Sequence, residues 1–89
     1  MRDPVQLTLI TRHDCHLCEA MATVIAAVRA TQPFELEVRD VDADPDLLAR
    51  YSDQVPVLLV NGRKAFKYRV SQAALARRLR VEAWRRWLP

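Results

Sequence analysis

The stretch Arg12-His13-Asp14-Cys15-His16-Leu17-Cys18 constrains this chain more than any other. It holds both cysteines and both histidines of the 89 residues. An apolar run, Val5 to Ile10, precedes it, and an alanine-rich segment with helical spacing follows. A Cys-x-x-Cys between a strand and a helix signals redox chemistry first. The first N–H groups of a helix lack intrahelical partners, and the macrodipole adds partial positive charge there. A thiolate at Cys15 is favoured by both. A free thiol with a pKa of about 8.5 is roughly 3 % ionised at pH 7; lowering it by one unit, worth about 1.4 kcal/mol, raises that to about a quarter. Cys18 lies one turn further on, within disulfide reach. In this reading Cys15 attacks and Cys18, further from solvent, resolves the mixed disulfide.

The rest of the chain supplies the scaffold. Val5, Leu7 and Leu9 alternate with Gln6 and Thr8 as in a strand. From Cys15 to about Ala30, the residues Leu17, Ala20, Met21, Val24, Ile25 and Val28 form an apolar helical stripe, which Thr31-Gln32-Pro33 ends. Residues 34–41 alternate again, with Phe34, Leu36 and Val38 on one side. Asp44 as N-cap and Pro45 at the first helical position start a short helix carrying Leu47, Leu48 and Tyr51. Residues 55–60 are continuously apolar, as in a strand covered on both faces. Asn61-Gly62 predicts a hairpin turn, with a partner strand at about 64–68. Ser71 caps a last helix reaching about Leu88, with Leu75, Leu79, Trp84 and Leu88 expected inward, joined by Ala76 and Trp87. The order is βαβαββα: an α/β chain with a four-stranded mixed sheet and helices on both faces, in one domain over residues 1–89. Gly62 is the lone glycine, so left-handed turns are expected to be few.

Composition and charge narrow the classes further. The apolar share of 51% excludes a disordered chain. No run is long enough to span a membrane or to serve as a signal-peptide core, so a cytoplasmic location is expected. There, a close cysteine pair is catalytic, redox-sensing or metal-binding rather than a staple. Residues 1–62 carry five Arg against ten Asp and Glu, a net of −5; residues 63–89 carry nine Lys and Arg against Glu82, a net of +8. The basic end reads first as a solvated helix face, and nucleic acid is not the expected partner.

These features together resemble the thioredoxin superfamily, and most of all the short glutaredoxin-like family with Cys-His-Leu-Cys sites. The resemblance rests on the strand ending Leu9-Ile10-Thr11, the Cys15-His16-Leu17-Cys18 motif, the Val55-Pro56 pair opening a strand, the Asn61-Gly62 hairpin and the terminal helix. It implies a thioredoxin/glutaredoxin-like fold and a thiol–disulfide oxidoreductase. It also implies a cis Val55–Pro56 bond against the cysteines, with Val55 offering backbone groups to a substrate. Arg12, three positions before Cys15, takes the place of a basic residue that steadies the thiolate or pairs with a glutathione carboxylate. His16 and Leu17 stand where glutaredoxins commonly have Pro-Tyr; an imidazolium at His16 would favour a thiolate, whereas Asp14 would oppose it. Lys67-Tyr68-Arg69-Val70-Ser71 replaces the usual Gly-Gly of the glutathione pocket. The implied substrate is a disulfide-bearing protein or a small thiol compound. No cofactor is required, and an external reductant, glutathione among the candidates, reloads the dithiol.

Two other readings of the same residues stay open. The thiols, with His13 and His16 nearby, could instead bind a metal or an iron–sulfur cluster, although one short loop rarely surrounds a tetrahedral ion; no metal ligand is assigned. The basic last helix could serve a non-catalytic interaction domain.

Overall fold

The structure, a computed structural model, describes residues 4–85. Its elements are β1 (Gln6–Thr11), α1 (His16–Arg29), β2 (Glu35–Asp40), α2 (Pro45–Tyr51), β3 (Val57–Val60), β4 (Arg63–Lys67) and α3 (Gln72–Arg85), with a 3-10 turn at Val41–Ala43. The four strands form one sheet in the order β2-β1-β3-β4. β1 runs parallel to β2, from Gln6 opposite Glu35 to Thr11 opposite Asp40. It runs antiparallel to β3, from Leu7 opposite Val60 to Ile10 opposite Val57. β3 and β4 are antiparallel, with a register shift between Leu58 and Leu59. The expected βαβαββα order and mixed sheet are therefore the observed ones.

Alternation along β1 and β3 divides the core. Leu7, Leu9, Leu58 and Val60 face Met21, Ile25 and Val28 of α1 and Leu75 and Leu79 of α3. On the other face, Ile10 and Val57 pack with Val41, flanked by Leu47 and Tyr51 of α2. Both sides of β3 are thus covered, as its unbroken apolar sequence requires, while β1 adds only Ile10 to the second face.

Local signals place the ends of the elements. Asp44 accepts from the backbone N–H of Asp46 and Leu47, with Pro45 opening α2. Ser71 Oγ accepts the Ala74 N–H at 3.0 Å at the start of α3. Asn61 and Gly62 both adopt positive φ, +50° and +82°, which matches a tight hairpin to the sheet twist.

Four expectations need correction. Left-handed backbone is less scarce than the lone glycine suggests: Asp14, Asn61 and Tyr68 adopt it besides Gly62. Ala20 is exposed rather than part of the α1 stripe. Val38 is 59% exposed, because β2 is an edge strand and an open recess lies beside it. Trp84 is 63% exposed, because nine residues on a helix turn it about 180° from Leu75. The residue one period beyond Leu75 and Leu79 is Glu82, which is buried. Its carboxylate meets Asn61 Nδ2 at 3.5 Å, Arg85 at 3.8 Å and Arg78 at 4.0 Å, and so ties α3 to the hairpin. Trp87 and Leu88 lie outside the described residues.

Leu75 is fully buried between α1 and the sheet. Leu75→Ala is expected to lower unfolding free energy by about 2–5 kcal/mol, read from the urea midpoint at unchanged m-value.

Candidate redox site

The site begins where β1 ends. Thr11 is the last strand residue, and three residues later Asp14, at φ +54°, turns the chain into α1. Cys15 is the N-cap of that helix; its Sγ accepts the Cys18 N–H at 3.1 Å, and its carbonyl accepts the Glu19 N–H at 3.1 Å. The sulfur therefore takes the part that a Ser or Asp oxygen plays in an ordinary cap. Charge developing on it faces a donor and the positive end of the helix. Cys15 and Cys18 form a disulfide with a Cα–Cα separation of 5.2 Å. Cys15 is half-buried, while Cys18 is only 5% exposed. The two sulfurs thus differ in access in the sense the sequence suggests.

Leu17 is half-buried on the first turn, whereas the His16 side chain is fully exposed, with Nδ1 4.0 Å from Glu19. His13 is exposed also, with Nε2 3.7 Å from Asp40. Arg12 points elsewhere than at the sulfur. It donates Nε and Nη2 to Asp42 at 2.9 and 3.1 Å, and Nη1 to the Ser52 carbonyl at 2.7 Å. This fork ties the end of β1 to the 3-10 turn and to the end of α2.

The Val55–Pro56 peptide bond is cis. Pro56 is buried directly before β3, and the pairing of Ile10 with Val57 sets it alongside the end of β1, where the cysteine loop departs. Tyr68 holds this segment in a way the sequence did not suggest. In left-handed conformation at φ +66°, it donates its backbone N–H to the Pro56 carbonyl at 2.8 Å and its hydroxyl to the Asp53 carbonyl at 2.9 Å. The sole hint was the lack of glycine in a segment that must turn sharply.

A recess of about 290 Å³ opens on the other side of the disulfide, between the start of α1 and the ends of β1 and β2. Leu9, Ala22 and Val38 line it together with Cys15 and Cys18. Among the described residues, no three His, Cys, Asp or Glu side chains converge as metal ligands. Nor does any helix there have the length and apolarity to cross a membrane.

This fold and this cysteine pair define a thioredoxin-like protein with a thiol oxidoreductase-like site. Residues 6–80 match the glutaredoxin-like domain family (DUF836), and the chain belongs to that family. Uncharacterised proteins of Mycobacterium tuberculosis and Mycobacterium bovis are each 31% identical to it over 79% of this chain and 77% of their own. Among solved structures, protein Ne2328 of Nitrosomonas europaea superposes with a TM-score of 0.75 at 29% identity, over 88% of this chain and 94% of that one. Protein XcR50 of X. campestris gives 0.67 at 32% identity, over 84% and 96%. A chloroplastic thioredoxin z shares the fold at 18% identity, with a TM-score of 0.69 over 92% and 81%.

The Arg12 fork leaves a mark on pH dependence. The hydrogen bond from Arg12 holds the Asp42 carboxyl below the usual carboxylate range, and the same bond raises Arg12. A carboxyl with a lowered folded pKa adds stability above its unfolded value of about 3.9, and that stability is lost as pH falls through the folded value. Asp42→Asn is therefore expected to be less stable than wild type at pH 7. The two stability curves should converge as denaturation is followed downward from pH 4.

Proposed function

We propose that this chain is a small thiol–disulfide oxidoreductase with Cys15 as nucleophile and Cys18 as resolving thiol. One observation carries the reading: the more accessible sulfur of the pair caps a helix, where an amide donor and the dipole favour its anion. In the reduced protein, the Cys15 thiolate attacks one sulfur of a substrate disulfide. The S–S bond breaks, the first substrate thiolate leaves and takes a proton from water, and a Cys15–substrate disulfide remains. The Cys18 thiolate then attacks Cys15 Sγ and releases the second substrate thiol. Two electrons pass from the protein dithiol to the substrate, and the protein ends in the disulfide form. An external thiol reductant reverses that change, so the exchange needs no bound cofactor.

The remaining residues of the site serve this step indirectly. Val55 and Pro56 form a wall for the substrate, and Leu17 adds an apolar contact beside the sulfurs. Arg12 acts as a positioning residue, since its donors are spent on Asp42 and Ser52. His16 lends charge at the helix start when protonated. A compartment kept reducing, such as the cytoplasm, suits a dithiol that must be reloaded.

Reduced protein is expected to turn over bis(2-hydroxyethyl) disulfide with dithiothreitol as electron source. Cys15→Ser should lose this turnover by at least a hundredfold. Cys18→Ser should accumulate a mixed disulfide visible as added mass. Equal turnover by wild type and Cys15→Ser would remove the proposal.

A further inference from the structure

Resting on the thiol-exchange reading above, we propose that the recess beside the disulfide selects substrates that carry a cation on a short aliphatic arm, such as a protein whose reactive cysteine adjoins a lysine or arginine. The recess has two parts. Leu9, Ala22 and Val38 give it an apolar wall, and Val38 is left more than half exposed. Asp14 and Glu19 line the same recess on either side of the Cys15 cap. An aliphatic stem ending in an ammonium or guanidinium suits such a pairing, with its methylenes against the wall and its charge at the carboxylates.

The balance of charge around the recess favours a cation. Among the described residues Arg12 is its one fixed cation, and that charge is matched by the bidentate contact with Asp42. Arg39, on the neighbouring strand, is taken up by Asp44 at 2.7 Å and Glu37 at 3.9 Å. Asp40 lies 3.7 Å from His13 and adds another carboxylate to this end of the sheet. Among the described residues Asp14 makes no ion pair, and Glu19 has only the 4.0 Å approach of the fully exposed His16. With His13 neutral, the carboxylates lining the recess, Asp14 and Glu19, exceed its cation, Arg12. Such a field raises the encounter rate of cationic partners and lowers that of anionic ones. Glutathione, with two carboxylates to one ammonium, falls on the disfavoured side.

Three disulfides with the same two-carbon arms test this: cystamine, with two ammonium groups; bis(2-hydroxyethyl) disulfide, uncharged; and 3,3′-dithiodipropionate, with two carboxylates. Each oxidises the reduced protein to its internal disulfide and leaves as two thiols, so electrons and protons balance without a further reactant. Single-turnover rates are divided by the rate of the same disulfide with free 2-mercaptoethanol, which removes intrinsic reactivity. At low salt, cystamine is expected to exceed dithiodipropionate by about tenfold. The ratio should shrink in 1 M salt, where the screening length is about 3 Å. It should fall towards one in the Asp14→Asn, Glu19→Gln double variant. Val38→Arg, at an exposed edge position, should reverse the order. A wild-type ratio near one, with the uncharged disulfide still reacting, overturns this inference and leaves the exchange reading standing. A high ratio untouched by the double variant also overturns it. Failure of all three disulfides to oxidise the protein overturns both.

Discussion

β1 is hydrogen-bonded along both of its edges, and the rest of the molecule depends on that. A strand paired with β2 on one side and β3 on the other cannot slide without breaking two ladders. A slip of one residue would also exchange Leu7 and Leu9 with their neighbours across the two cores. The point at which β1 stops is therefore fixed, and with it the departure of the Arg12–Asp14 loop. Cys15 inherits its position from this register. The sulfur then becomes an acceptor for the first turn of α1, so the atom proposed as the nucleophile also caps the helix.

Two hydrogen-bonded braces keep the approaches to that atom in shape. Arg12 joins the end of β1 to Asp42 and Ser52, drawing the α2 side of the sheet to the loop. Tyr68, at the end of β4, reaches back to Pro56 and Asp53. Each brace spans a large sequence separation, and each sits at the same end of the sheet. The cysteines thus rest on a frame assembled from four strand ends, not on a freely moving loop. Burial distinguishes the two: Cys18 is buried, while Cys15 is half-buried.

Much of this was legible from residue order, for reasons that differ by element. β1 and β3 could be read because alternation and continuous apolar runs report one- and two-sided burial directly. The hairpin could be read because Asn61-Gly62 suits a pair of positive φ values that few dipeptides tolerate. Asp44-Pro45 announced α2 through the chemistry of caps. What escaped were facts set by distant partners. Arg12 looked free to serve the sulfur because nothing in its vicinity names Asp42, thirty positions on. Nothing beyond the lack of glycine pointed to the left-handed backbone of Tyr68, whose N–H bonds the Pro56 carbonyl. Trp84 was expected inward on its apolar character, yet the helical period places Glu82 on that face instead. Val38 continued an apolar alternation, and only the sheet order shows that it lies on an outer strand.

The same sheet order has a consequence for crowded solutions. An unpaired strand flank is a template on which another chain can add itself. Here the outer strands are β2, with Glu35, Glu37, Arg39 and Asp40, and β4, with Arg63, Lys64 and Lys67. Like flanks from two molecules would bring carboxylates against carboxylates, or ammonium groups against guanidinium groups. Charge of opposite sign at the two margins thus opposes the stacking of either flank on its own twin.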